Sequence, residues 1–292
     1  MPFHIVDVFA EDRFKGNQLA VFRDRQGISD ELMQSITREM NFSESTFIRG
    51  VDLEKMLFKV RIFTPAREVP FAGHPTLGTA YVIQRDIVRE PVDEVILDLK
   101  AGKIPVRISY EDGEPSILWM KQLNPVFGDT YEPEEVASLL NLEPGDIDPD
   151  HPVQEVSTSI PFFIVPLRSG TALKKAKADK DRLLSFIEKR DAKAPLLFCP
   201  EPRNPENHLE VRMFGAYYGI EEDPATGSGN GCLAGYLARH RYFGSPRVDI
   251  RVEQGHEVGR PSLLYLRSED RGEEVEIHVG GKVVMIAKGE FV

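Results

Sequence analysis

The chain is written twice, and this constrains its fold more than any other feature. Val60-Arg61-Ile62-Phe63 returns as Val211-Arg212-Met213-Phe214. Each run closes an alternating segment, 57–63 and 209–214, with the period-two pattern of a strand. A loop, a glycine-centred turn and a helical pattern follow both times. In the first half these are Gly73-His74-Pro75-Thr76-Leu77-Gly78 and then 79–83; in the second they are Gly227-Ser228-Gly229-Asn230-Gly231 and then 232–237.

The parallel extends outward from the turns. Residues 3–9 and 18–22 read as strands, and 154–157 with 162–167 read the same way. Residues 29–40 form a capped amphipathic helix with Ile28, Leu32, Met33, Ile36 and Met40 along one face, and 181–190 are its counterpart. Strands at 46–48 and 195–199 follow. After each glycine turn come three further strand runs, at 95–99, 104–109 and 117–120 and at 248–252, 263–266 and 275–279. The period is far longer than that of solenoid or propeller repeats. A chain of 292 residues exceeds the usual single-domain size, so a duplicated domain fits. The boundary falls near Gln122, Asn124 and Pro125, giving an N-terminal lobe of 1–122 and a C-terminal lobe of 123–281. The run 283–286 is an extra strand expected to cross back, so that 282–292 joins the first lobe.

Bulk properties exclude several classes of function. The net charge of -11 argues against nucleic acid, whose phosphates call for a basic face. No apolar run approaches the roughly 20 residues that span a bilayer, so no membrane partner is expected. Residues 1–9 contain Asp7 and have no basic region ahead of them, so they read as a strand rather than a signal peptide. Two cysteines, Cys199 and Cys232, are too few for a disulfide framework or a four-ligand zinc site and fit a reducing cytoplasm.

The two glycine turns are where chemistry is expected. A helix N-terminus carries free backbone N–H groups and about half a positive charge, which suits it to anions. Two such termini facing one cleft between the lobes would hold a carboxylate without any arginine. His74 lies in one turn; Asp223 and Ser228 lie in or beside the other. Histidine can carry a proton near neutral pH. Each residue also has a plainer reading: His74 as a packed histidine, Asp223 before Pro224 as a turn residue, Ser228 as a helix cap. Glu44, in Asn41-Phe42-Ser43-Glu44-Ser45-Thr46-Phe47, opens a strand and reads equally as an exposed strand-edge acid.

Other motifs are missing. Ser228 is not in a Gly-x-Ser-x-Gly elbow, because Thr226 holds the first glycine position. There is no dinucleotide turn, phosphate-binding P-loop, His-Glu-x-x-His or Cys-x-x-Cys metal pattern. His4, His151, His208, His240, His256 and His278 are scattered.

Taken together, Arg61-Ile62-Phe63-Thr64-Pro65, Phe71-Ala72-Gly73-His74-Pro75-Thr76-Leu77-Gly78, Glu222-Asp223-Pro224-Ala225-Thr226-Gly227-Ser228 and the segments around Glu44 and Gly16-Asn17-Gln18 resemble the PhzF family of phenazine-biosynthesis-like isomerases. Gln18 stands where that family usually has proline. The resemblance runs through nearly the whole chain. It implies an α+β fold similar to diaminopimelate epimerase: two pseudo-symmetric lobes, each a barrel-like sheet around a central helix. It also implies cofactor independence and a homodimer. The related epimerases use two facing cysteines as acid and base. Here the matching turns carry Gly73-His74 and Gly227-Ser228, and neither Cys199 nor Cys232 falls there.

By the same resemblance Glu44 shuttles a proton on a small cyclic carboxylic acid, as in isomerisation of trans-2,3-dihydro-3-hydroxyanthranilate. His74 and Asp223 assist it. Gly73, Gly227 and Ser228 hold the substrate, and Asn17 lines the pocket. Two other readings stay open: a racemase or epimerase of a small acidic substrate, and a binding protein that kept the fold without the chemistry.

Overall fold

The computed structural model describes residues 1–292 and divides into two compact units, 1–121 with 280–292, and 122–279.

The first unit contains β1 (Pro2–Val8), β2 (Asn17–Arg23), α1 (Asp30–Met40), β3 (Glu44–Asp52), β4 (Leu57–Phe63), the short β5 (Glu68–Val69), α2 (Gly73–Val82), β6 (Glu94–Leu99), β7 (Gly102–Glu111) and β8 (Glu114–Lys121). The second contains β9 (Val126–Tyr131), α3 (Pro133–Leu139), β10 (Val153–Ser157), β11 (Pro161–Pro166), α4 (Gly170–Lys175), α5 (Lys180–Ile187), β12 (Pro195–Cys199), β13 (Leu209–Phe214), β14 (Glu222–Asp223), α6 (Gly227–Arg239), β15 (Arg247–Gln254), β16 (Ser262–Asp270) and most of β17 (Val275–Gly281). The last strand, β18 (Val283–Glu290), pairs antiparallel with β1 in the first unit.

The pairing order repeats between the units. In the first, β2 and β3 are parallel, β3 and β4 antiparallel, and β4 and β6 parallel. In the second, β11 and β12 are parallel, β12 and β13 antiparallel, and β13 and β15 parallel. Parallel neighbours need a crossover, and a helix supplies it. Thus α1 links β2 to β3, and α2 lies between β4 and β6. In the second unit α4 and α5 link β11 to β12, and α6 lies between β13 and β15.

The helices are of two kinds. Helix α1 is amphipathic. Ser29 caps it by accepting from Leu32 N–H, and Asn41 ends it in the left-handed region at φ 54°. Its buried stripe is Met33, Ile36 and Thr37, packed on Phe22, Phe47 and Phe63. Leu32 does not join this stripe as the sequence pattern had it; it is 47% exposed. At about 100° per residue Leu32 stands about 100° from Met33, at the solvent edge of the stripe. Helix α5 ends at Ile187, short of the expected 190, and buries Leu183, Phe186 and Ile187. Helices α3 and α4 and strand β9 carry no signal read from the sequence. Val136, Leu139 and Leu173 of those helices fill a core with Phe163, Val165 and Leu197.

Helices α2 and α6 are of the other kind. All ten residues of α2 are buried, and α6 is buried from Gly227 to Ala238. A helix enclosed on all sides must be apolar or small all round. Helix α2 packs against β1, β2, β3, β6, β7, β8 and β18 of its own unit. Gly78 makes this possible, because a Cβ there would lie 2.6 Å from Leu19 and 2.8 Å from Val8. Gly229 has the same role in α6, against Leu196 at 2.6 Å.

Gly78→Ala should therefore lower stability, measured as the urea midpoint. Alanine is favoured over glycine in a helix by about 1 kcal/mol, whereas overpacking costs about 1–3 kcal/mol. A raised midpoint would mean that Leu19 and Val8 yield freely.

Candidate active site

In the first unit the enclosed helix delivers His74 to one end of the sheet. The helix begins at Gly73, earlier than its apolar pattern indicates, so His74 sits in its first turn rather than in a preceding loop. Its N-cap, Ala72, is extended and offers no side-chain acceptor. Thr76 N–H is the first to reach back, to Ala72 O. The N–H groups of Gly73 and His74 thus have no partner within the helix, and Pro75 has no N–H to lose. The helix dipole adds positive potential at the same place.

Glu44 opens β3, opposite Leu19 of β2. Asn17 begins β2, at the same end of the neighbouring strand, and is buried. The Glu44 Oε2 atom lies 3.4 Å from His74 Nε2, with side chains 18% and 7% exposed. Glu44 is therefore neither the exposed strand-edge acid nor a distant residue; it faces the histidine. Burial pushes the His74 imidazole down to about 3, opposed by a hydrogen bond with the Gln18 backbone. At neutral pH the ring is uncharged and presents one N–H and one lone pair. A proton from either partner turns the 3.4 Å approach into a hydrogen bond. The pair is suited to holding and passing a proton rather than to standing as a fixed ion pair.

What fastens α2 to β3 was not read from the sequence. Thr46 of β3 and Thr79 of α2 share a buried 2.8 Å hydrogen bond. Both are β-branched residues in apolar surroundings, and nothing in their spacing of 33 residues marks them as partners.

The second unit builds its turn differently. Asp223 and Ser228 are buried. Ser228 does not cap α6; Thr226 is the N-cap, and Ser228 lies in the first helical turn. The Asp223 carboxylate accepts from Thr226 Oγ1 at 2.5 Å. Gln254, at the end of β15, clamps the whole turn. Its amide nitrogen donates to Asp223 O at 2.9 Å and to Thr226 Oγ1 at 3.0 Å. Its oxygen accepts from Thr226 N–H and Asn230 Nδ2. Asn230 N–H bonds Thr226 O, leaving the N–H groups of Gly227, Ser228 and Gly229 without partners inside the helix. The sequence reading missed Gln254; its one visible signal is a polar residue that closes an alternating strand just before Gly255.

The two cysteines sit elsewhere. Both are buried, and burial pushes the Cys199 thiol up to about 11 and the Cys232 thiol up to about 12. Neither is prepared to serve as a thiolate base. No group of three or more His, Cys, Asp or Glu side chains is placed to hold a metal ion. The remaining histidines are engaged locally: His4 with Asp86, His151 with Asp148, His256 with Glu253, His278 with Glu276, His240 with Gln154, and His208 with the Arg251 backbone.

The profile of the phenazine biosynthesis-like proteins matches residues 6–289. The chain belongs to this family. It is 35% identical to trans-2,3-dihydro-3-hydroxyanthranilate isomerase of Pseudomonas aeruginosa, over 98% of this chain and 97% of that one. Among solved structures, a PhzF-family phenazine biosynthesis protein of Bacillus anthracis superimposes with a TM-score of 0.90 at 26% identity, covering 100% of this chain and 99% of the other. A protein of Pseudomonas aeruginosa described as a predicted epimerase gives 0.83 at 31% identity, with coverage of 100% and 99%. The fold is thus the mixed α+β fold of this family, with extensive sheet and few helices. The homologues support an isomerase or epimerase.

The depressed imidazole makes a stability prediction. Unfolded, a histidine titrates near 6.5; in place, His74 titrates near 3. Between these values the unfolded chain binds a proton that the folded chain does not. Folding is therefore weakened as pH falls below 6.5, by up to about 1.4 kcal/mol per pH unit from this group. His74→Asn should shrink the loss of stability between pH 7 and pH 5, read by urea denaturation. An unchanged difference would mean that the buried ring accepts a proton.

Proposed function

We propose that this protein is a cofactor-independent isomerase that moves a proton on a small cyclic carboxylic acid, with Glu44 as the group that takes and returns it. The carrying observation is the approach of Glu44 to a neutral His74 beside two unengaged N–H groups at the start of α2. Glu44 removes a proton from a ring carbon and redelivers it to another, so that a double bond moves and no atom is gained or lost. His74, uncharged, holds or relays that proton. The N–H groups of Gly73 and His74 bind the substrate carboxylate or the negative charge that develops as the proton leaves, where fixed dipoles are worth most. Asn17 orients the substrate from β2.

In the second unit, Asp223 and the Gly227–Ser228 turn act in the same reaction. The Gln254 clamp preorganises them, so they need not reorder during turnover. The two lobes are taken as pseudo-symmetric, each with a barrel-like sheet around its enclosed helix. A homodimer in the cytoplasm, without nucleic-acid or membrane partners, belongs to the same proposal; no helix is long and apolar enough to cross a membrane. The resemblance to a protein described as a predicted epimerase favours a second reading, stereochemical inversion at one carbon by the same groups.

Proton NMR in heavy water with trans-2,3-dihydro-3-hydroxyanthranilate and a panel of cyclic carboxylic acids separates these readings. Isomerisation moves a double bond and carries deuterium to a new carbon; epimerisation exchanges it at the old one. Glu44→Gln should lower turnover about 10²–10⁴-fold, the usual contribution of a positioned acid–base group, with KM little changed. Asp223→Asn should also lower kcat. Full activity in Glu44→Gln would overturn the assignment.

A further inference from the structure

The far end of α2 opens onto a second feature. Helix α2 continues into a π-helical turn, Ile83–Val88, that ends at Arg89 in the left-handed region with φ 67°. Turns of this width are rare and recur at functional sites, and a non-glycine residue at positive φ invites explanation. The turn forms one wall of a cavity of about 230 Å³ within the first unit.

The lining is basic. Arg23 and Arg25 come from β2 and the loop after it, Arg89 from the π-helical turn, and Lys288 from β18. Against these stands one carboxylate, Asp86, held by His4 Nε2 at 2.5 Å and Lys288 Nζ at 2.7 Å. In a chain of net charge -11 such a cluster runs against the average. Several arginines elsewhere find acids, as Arg49 does with Asp24, Arg61 with Glu68, Arg203 with Glu210 and Arg212 with Glu222. Arg23, Arg25 and Arg89 have no carboxylate within ion-pair reach.

Capping of the helix accounts for part of this. Cations favour a helix C-terminus, and Arg89 Nε donates to Asp86 O. It does not account for Arg23 and Arg25. Burial and the charges of Arg25 and Arg89 hold Arg23 below its ordinary value, opposed by Asp86, and a further anion among these cations would lessen their repulsion. His4 Nδ1 is also buried there without a hydrogen-bond partner. Planar guanidinium forks match phosphate oxygens in pairs. Val21 and Val82 supply an apolar wall. The volume falls below the about 300–1,000 Å³ of drug-sized pockets, which limits the ligand to a small one.

We propose that this cavity is a binding site for a small phosphate-bearing ligand, separate from the Glu44–His74 centre and distinct from the substrate. Its oxygens meet Arg23, Arg25 and Arg89, and any organic body rests on Val21 and Val82.

Calorimetric titration of the whole protein at constant ionic strength, with inorganic phosphate and with phenyl phosphate, tests this. Saturable binding with Kd below about 1 mM is expected. Tighter binding of phenyl phosphate identifies a phosphate ester as the ligand; equal binding identifies free phosphate. Arg23→Gln should weaken binding about tenfold or more, the value of one charge-assisted contact. Arg89→Gln, at an exposed position that tolerates change, should do the same without altering turnover. Glu44→Gln should bind as the unaltered protein does, which separates this site from the reaction centre. Absence of saturable binding, or undiminished binding in both arginine variants, would overturn the proposal.

Discussion

The enclosure of α2 is the constraint on which the rest of the first unit depends. A helix with every residue buried cannot offer a polar face to water. Its side chains must be small or apolar, and its ends become the only places where backbone polar groups meet ligands. Gly78 lets β1 and β2 approach, and the Thr46–Thr79 hydrogen bond fixes the helix against β3. Because the helix cannot shift, the N–H groups of Gly73 and His74 point where the sheet places them. The same enclosure desolvates His74 and keeps its ring uncharged. Site and core are one construction.

Helix α6 meets the same constraint with different residues. Its buried turn is held by a glutamine on a strand, which satisfies a threonine, an asparagine and a backbone carbonyl together. Buried polar groups left unpaired are costly, and Gln254 reduces that cost with a single side chain, although Asn230 Oδ1 stays buried without a partner. The result in each unit is a rigid helix start whose first N–H groups remain available. In the second unit α3, α4 and α5 pack with Phe163, Val165 and Leu197 in a core of their own.

The two ends of α2 differ in electrostatic character. Its N-terminus carries backbone donors, one carboxylate and a neutral ring. Its C-terminal extension borders basic side chains drawn from three segments that are distant in sequence: Arg23 and Arg25, Arg89, and Lys288. Several like charges gathered around a single carboxylate, Asp86, repel one another, and the π-helical turn that positions Arg89 adds backbone in an uncommon conformation. Such features persist where surrounding structure over-determines them, and here the enclosed helix does so.

By itself the sequence determined the duplicated pattern, most strands, the caps of α1, the family and the isomerase or epimerase class of chemistry. These are legible because period-two alternation, capping residues and glycine turns act over a few residues. The tertiary structure alone decided which residues meet. Glu44 and His74 are brought together by the parallel pairing of β2 with β3 and the burial of α2 beneath them. Gln254 reaches Asp223, Thr226 and Asn230 only because β15 returns beside β13. Arg23 and Lys288 gather because β1 pairs with β2 on one side and β18 on the other, and the extension of α2 brings Arg89 to them. Charge state followed the same rule: the sequence says that histidine can ionise near neutral pH, and desolvation by residues far along the chain decides that His74 does not.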